Sequence, residues 1–416
     1  MVFKINGGRP LSGSIKIESA KNSVLPIMAG TVLTDKEIII ENCPKIADVF
    51  AMSKILRHAG KSVEFCEDNL IIKPCEQENV TEVNFSEDIA ASVRTSVLML
   101  GALSAKYKKA KVPYPGGCDI GGRPIDIHIS ALKSLGADVY EEDGFIVCGS
   151  QVKGGRAVLS FPSVGATENA ILSAATSSGE SVIVNAAKEP EIIDLAAFLN
   201  KIGAKIVGAG TSVIRIEGVK RLDGGAFRPS PDRIEAGTYL IAAAITGGEI
   251  ELNGVNAENI SALLGKLCDN TCKFKIKNDI IYLHSGKRKK AFDISTGPYP
   301  LFPTDLQAQM SALAAVSFGK SKISDEVFKN RFYHIAELKK MGANVSLCGN
   351  TATFDGVLRL HGAEVNAHDL RCGAAMVLAG LNAEGTTTVC DIRHLERGYY
   401  SMDKKLAALG ADIIRA

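Results

Sequence analysis

The sequence predicts an α/β protein of two domains, each assembled from three copies of one unit. Three observations carry that reading. A leucine-rich helix ending in glycine recurs along the chain. β-Branched strands alternate with small-residue helices around it. A Gly/Pro-rich stretch, Gly224-Gly225-Ala226-Phe227-Arg228-Pro229-Ser230-Pro231, then divides the chain near its middle.

The recurring helix ends are Ile55-Leu56-Arg57-His58-Ala59-Gly60, Leu132-Lys133-Ser134-Leu135-Gly136-Ala137, Leu199-Asn200-Lys201-Ile202-Gly203-Ala204, Leu338-Lys339-Lys340-Met341-Gly342-Ala343 and Leu406-Ala407-Ala408-Leu409-Gly410-Ala411. A degenerate copy, Leu264-Gly265-Lys266-Leu267-Cys268-Asp269, fills the gap between the third and fourth. A period of roughly 70 residues exceeds that of solenoid repeats, so each copy must hold several strands and helices.

Each copy opens with a small-residue helix, as at 92–105, 167–177 and 305–316. A β-branched strand follows, as at 37–40 and 181–184. After a loop comes an amphipathic helix that its glycine ends in a left-handed cap. A hairpin closes the copy. At 138–148 the hairpin turns on Asp143-Gly144. The sixth copy breaks off at 411–416, and strands at 2–5 and 14–17 supply what it lacks, so the two termini should pair. Residues 21–230 then form one domain, and 1–20 with 231–416 form a discontinuous second.

Composition narrows the function. Hydrophobic residues make up 46% of the chain and aromatics only 6%, with no tryptophan, so the cores should be aliphatic. A net charge of +2 argues against a protein that coats nucleic acid. The basic runs at 106–111 and 287–290 fall where elements end and read as solvated surface. No stretch approaches the ~20 apolar residues that a membrane span needs. The ten cysteines lack paired spacing, and no secretory segment precedes them. A reducing cytoplasm is the expected home, with most thiols acting as small core residues. Cys268 and Cys272 have no partner pair or flanking histidine, so no zinc site is expected.

Polar residues gather where the first helix of each copy opens: Lys21-Asn22, Arg94, Ser163, Asp232, Asp305 and Asp369 to Arg371. The Asp and Ser residues suit N-caps. Lys21, Arg94 and Arg371 oppose the helix dipole, and each is either a salt-bridge partner or a cation gathered around a bound anion. Pro113-Tyr114-Pro115-Gly116-Gly117-Cys118-Asp119-Ile120-Gly121-Gly122-Arg123-Pro124 is a glycine-rich loop with a cysteine at its centre. Cys118 is an incidental thiol or a reactive one whose pKa Arg123 lowers and Asp119 raises. His334 and His394 are open between structural and functional roles.

Several motifs together resemble one family. They are Ser19-Ala20-Lys21-Asn22, Pro115-Gly116-Gly117-Cys118, Arg123-Pro124-Ile125-Asp126-Ile127-His128, Ser163-Val164-Gly165-Ala166-Thr167, Pro303-Thr304-Asp305-Leu306-Gln307-Ala308-Gln309, Asp369-Leu370-Arg371 and Glu396-Arg397-Gly398-Tyr399. The chain is similar through them to the UDP-N-acetylglucosamine 1-carboxyvinyltransferases, in register from Phe3 to Ile413. The resemblance implies two inside-out, barrel-like α/β domains, each of three βαβαββ units.

It also implies roles. Lys21, Asn22, Arg123 and Arg397 would surround the phosphate of phosphoenolpyruvate, and Arg331 and Arg371 its carboxylate. Arg94, Arg123, Pro124, Ile125, Asp126, Ile127, Phe161, Pro162, Ser163, Val164, Asp305 and Val327 would hold UDP-N-acetylglucosamine. Cys118 would be the general acid and Asp305 the acceptor of the sugar hydroxyl's proton. For Asp305 an N-cap role is the alternative. Both substrates are small molecules; no metal or organic cofactor, nucleic acid or membrane is implied. Lys329, Phe161 and Asp119 depart from the family's usual residues. Two other readings are a 5-enolpyruvylshikimate-3-phosphate synthase-like transferase, against which Cys118 and Arg123-Pro124 speak, and an inactive nucleotide-sugar sensor.

Overall fold

Six helices among the described residues are rich in small and apolar residues on every side, and such a helix has no wide polar face to give to water. In the computed structural model, which describes residues 1–75, 94–114, 125–286 and 289–416, all six lie in cores. The Lys21–Gly30, Leu98–Tyr107 and Val164–Ala174 helices share one core. The Arg233–Thr246, Gln307–Ala315 and Leu370–Asn382 helices share another. Small residues let these helices approach closely. The amide side chain of Asn169 bridges the break ahead of Leu98, accepting from Gly101 N at 2.7 Å and donating to the Val97 carbonyl at 3.1 Å.

Strands lie over the helices with alternating burial, as in Phe3–Asn6 and Val213–Glu217. Five described sheets have four strands each and repeat one plan. In one, Gly155–Val158 runs parallel to Glu180–Val184, which pairs antiparallel with Val213–Glu217, and Lys205–Val207 completes the hairpin. Reading the helices between them gives a βαβαββ copy. A sixth sheet shows three described strands, Ala110–Pro113, Phe145–Cys148 and Val139–Glu142.

The helix-ending glycines at 60, 136, 203, 342 and 410 all have left-handed φ, from 78° to 107°. In the degenerate copy Thr271 holds that place at φ 89°, so the repeat's register lies further along than the leucines suggest. A β-branched residue there is strained, by about 1–2 kcal/mol.

The structure corrects four expectations. Phe3–Asn6 pairs with Asp412–Arg415 and with Thr386–Cys390, joining the termini, but Ser12–Lys16 belongs to a different sheet, parallel to Glu249–Asn253. The glycine-rich junction contains a strand, Gly225–Phe227, parallel to Ile38–Ile40. Two small-residue helices begin with 3-10 turns, Arg94–Val97 and Thr304–Leu306. Cys66, Cys75, Cys268 and Cys348 are exposed, since they lie at or beside strand and helix ends; burial raises the pKa of Cys43, Cys148, Cys272 and Cys372.

Met1–Glu18 and Pro231–Ala416 form one compact unit, and the described residues of 19–230 form the other. Within the first, Lys405 Nζ lies 3.1 Å from Glu18 and 2.7 Å from Glu235, tying the N-terminal segment to the Arg233–Thr246 helix. Among the described residues no helix is long and apolar enough to cross a membrane.

Candidate active site

In the unit holding the C-terminus, Pro303 cannot donate a backbone hydrogen bond, and a 3-10 turn, Thr304–Leu306, precedes the Gln307–Ala315 helix. Asp305 lies in this turn. Its Oδ1 lies 2.8 Å from Arg331 Nη1 and its Oδ2 3.0 Å from Arg371 Nη2. The guanidinium side chains are 7% and 6% exposed, against 26% for the carboxylate they share. Burial by itself would raise the Asp305 pKa. The charges of Arg371 and Arg331 outweigh it and hold the carboxyl well below the usual range. Burial would likewise lower Arg371, but Asp305 keeps it firmly protonated.

The N-cap role open to Asp305 falls elsewhere. Asp369 Oδ1 accepts from Arg371 N at 2.7 Å and Cys372 N at 3.0 Å, and Asp232 and Ser163 cap their own helices. The turn at Asp305 has no side-chain cap.

Arg331 is aimed by its loop. Asp325, fully buried, accepts from Val327 N, Phe328 N and Thr296 Oγ1 through Oδ1, and from Thr304 Oγ1 through Oδ2 at 2.6 Å. This Asx turn links the loop of Val327 and Arg331 to the turn of Asp305. Arg331 Nη1 also reaches Thr304 Oγ1 at 3.3 Å, while its buried Nε has no acceptor among the described residues.

Arg371 is held from behind by Tyr399, whose hydroxyl accepts from Nη1 at 3.1 Å. Gln309 Nε2 donates to the same hydroxyl at 3.2 Å and to the Asp305 carbonyl at 3.0 Å. Thr238 Oγ1 sits 2.9 Å from the phenol and gives its own hydrogen to the Ile234 carbonyl. Arginine and the Gln nitrogen only donate, so the phenol's proton must point at Thr238. Arg397 ends the Ile392–Arg397 turn two residues before Tyr399 and is half-buried.

In the other unit, Lys21 opens its helix and pairs with Asp48 at 2.7 Å, with Asn22 half-buried beside it. Ile125 is buried, while Asp126 and Phe161 are exposed. Ile127, Pro162, Ser163 and Val164 are half-buried. The Asp126–Ser134 and Val164–Ala174 helices are joined where His128 Nδ1 lies 3.2 Å from Asn169 Nδ2. Arg94 opens its 3-10 turn, but its side chain, and the whole of Cys118, Asp119, Arg123 and Pro124, lie outside the described residues.

The structure thus brings together Asp305, Arg331 and Arg371, and adds Tyr399, Gln309, Thr238 and Asp325, to which sequence reasoning gave no role. Asp325 had a local signal, an Asp where a strand gives way to a loop; Thr238 had none. His334 is 1% exposed, and burial lowers its pKa to about 4, so it is a neutral core residue.

The EPSP synthase (3-phosphoshikimate 1-carboxyvinyltransferase) family model matches residues 5–406. UDP-N-acetylglucosamine 1-carboxyvinyltransferase 2 of Caldanaerobacter subterraneus subsp. tengcongensis is 46% identical, with 99% of each chain covered. UDP-N-acetylglucosamine 1-carboxyvinyltransferase of Trichlorobacter lovleyi is 45% identical, with 99% of this chain and 98% of that one covered. The crystal structure of the enolpyruvyl transferase NikO from Streptomyces tendae shares the fold at a TM-score of 0.87, with 23% identity, over 99% of this chain and 98% of that one. The family match over residues 5–406 and identities of 45–46% over 99% of the chain place this chain in the enolpyruvyl transferase family, among the UDP-N-acetylglucosamine 1-carboxyvinyltransferases.

Proposed function

We propose that the chain transfers the enolpyruvyl group of phosphoenolpyruvate to the 3′-hydroxyl of UDP-N-acetylglucosamine, releasing phosphate, as the first committed step toward peptidoglycan in the cytoplasm. The observation that carries this reading is the pair of buried guanidiniums, Arg331 and Arg371, converging on one carboxylate at a helix start. Such a pair matches a planar carboxylate ligand.

In this reading Arg331 and Arg371 hold the substrate carboxylate, and Lys21, Asn22, Arg123 and Arg397 its phosphate. Arg94, the 123–127 segment, the 161–164 segment and Val327 hold the nucleotide sugar. Cys118 delivers a proton to the methylene carbon. The 3′-hydroxyl oxygen bonds to the adjacent carbon as its proton passes to Asp305. Loss of a methyl proton and departure of phosphate restore the double bond in the product. Acid and base groups contribute about 10²–10⁴ in rate. Fixed cations around the phosphate and carboxylate supply the larger share.

The test is phosphate release from phosphoenolpyruvate, with UDP-N-acetylglucosamine and separately with shikimate 3-phosphate. Release with the first alone supports the proposal. Release with shikimate 3-phosphate favours the other branch of the family, and release with neither favours a sensor. Cys118→Ala should lose most turnover, whereas Cys118→Asp should retain some and resist fosfomycin, because a carboxyl can donate a proton but does not capture the epoxide as a thiolate does. Normal turnover by Cys118→Ala would remove the thiol from the mechanism.

A further inference from the structure

The Asp305 carboxylate and its two arginines are unequal partners. Both guanidiniums are almost fully buried, and each has a second partner: Arg371 Nη1 donates to the Tyr399 hydroxyl at 3.1 Å and Arg331 Nη1 to Thr304 Oγ1 at 3.3 Å. Asp305 sits on a short 3-10 turn and is the most exposed of the three. Among the described residues no other carboxylate lies within ion-pair distance of either guanidinium. Arg331 Nε, buried and without an acceptor there, is a donor that a ligand could take.

Two buried cations cannot lose their anion without replacement, because an unpaired buried charge is strongly destabilising. A ligand carboxylate can replace Asp305 without changing the charge of the cluster. While it bridges two guanidiniums, Asp305 is a weak proton acceptor; once displaced, it loses the charges that stabilise its ionised form.

We propose that Asp305 is a stand-in for the carboxylate of the acid substrate: it occupies Arg331 and Arg371 until that carboxylate displaces it, and only then is it free to accept a proton. This rests on the enolpyruvyl transfer reading and adds an order to it. The base is masked until the acid substrate is seated, so the nucleotide sugar alone is not activated.

The test uses two unreactive ligands and the full chain saturated with UDP-N-acetylglucosamine. Phospholactate carries phosphate and carboxylate; isopropyl phosphate carries phosphate only. Removing the competing carboxylate by Asp305→Asn should tighten phospholactate by about tenfold or more and isopropyl phosphate by less than about threefold. Equal gains for both ligands, or no gain for phospholactate, overturn the proposal. In the wild-type chain the Asp305 side-chain carboxylate carbon resonance, assigned by its loss in Asp305→Glu, should move with phospholactate and stay still with isopropyl phosphate. That measurement decides the matter even if Asp305→Asn does not fold, and an unmoved resonance under bound phospholactate refutes the exchange. Wild-type turnover with unchanged variant affinity defeats this inference alone. Absence of phospholactate binding in both proteins defeats the transferase reading with it.

Discussion

The Tyr399 hydroxyl accepts from Arg371, gives its proton to Thr238 and lies 3.2 Å from Gln309 Nε2, which is equally close to Thr238 Oγ1. Removing that oxygen leaves Arg371 Nη1 facing a buried apolar edge, and an unmet buried donor costs about 1–3 kcal/mol. The arginine can recover part of this by swinging away from its aim at Asp305. Tyr399→Phe is therefore expected to raise the KM for phosphoenolpyruvate about tenfold, the equivalent of ~1.4 kcal/mol, with a smaller fall in kcat. The KM for the nucleotide sugar should hardly change. A lower kcat with an unaltered KM for phosphoenolpyruvate would show that Tyr399 does not act through Arg371. The motif Glu396-Arg397-Gly398-Tyr399 marked this residue as notable in the sequence. Its partners, at positions 238, 309 and 371, come from three different helices, and no local pattern connects them.

Helix against helix, the closest approach is decided by single glycines. A Cβ at Gly101 would come within 2.3 Å of Asn169 Oδ1 and 2.5 Å of the Asn169 carbonyl oxygen. The second of these is backbone of the neighbouring Val164–Ala174 helix and cannot rotate aside. A Cβ at Gly237 would instead meet Leu306 and Leu263 side-chain atoms at 2.6 and 2.9 Å, which can change rotamer. Gly101→Ala should destabilise the protein by about 2–3 kcal/mol through overpacking and loss of the Asn169 bridge, and Gly237→Ala by less. Denaturant midpoints for the two variants check this ranking; a neutral Gly101→Ala would mean that the helices separate at little cost. Element types were largely legible: the five glycine caps, the Asp143-Gly144 hairpin turn and the small-residue helices stand where pattern puts them. Element starts were less so, because Asn169, remote in sequence, shapes the entry to the Leu98–Tyr107 helix.

At the scale of the molecule, the N-terminal strand is an interior strand of its sheet. Phe3–Asn6 lies between Thr386–Cys390 and Asp412–Arg415, with Phe3 and Ile5 buried beneath it. Burying those two side chains is worth about 3–6 kcal/mol, apart from the hydrogen bonds to both neighbours. Deleting residues 1–6 should therefore strip exchange protection from the amides of Thr386–Cys390 and Asp412–Arg415. Protection in Glu180–Val184 and Val213–Glu217, which belong to the other unit and its separate core, should persist. Uniform loss across both units would show that they unfold as one.

The sequence by itself determined the repeat, its order of helix, strand, helix and hairpin, and the identity of the charged residues, because all of these are local: periodicity, turn chemistry and capping act over a few residues. Only the tertiary structure decided that Ser12–Lys16 and Gly225–Phe227 each complete a sheet with a copy distant in the chain, since strand partners are chosen by which exposed edge lies near. It decided also that Asp305 is an ion-pair partner and not a cap. The choice depends on two guanidiniums, 26 and 66 residues further along, being buried where only a carboxylate can compensate them.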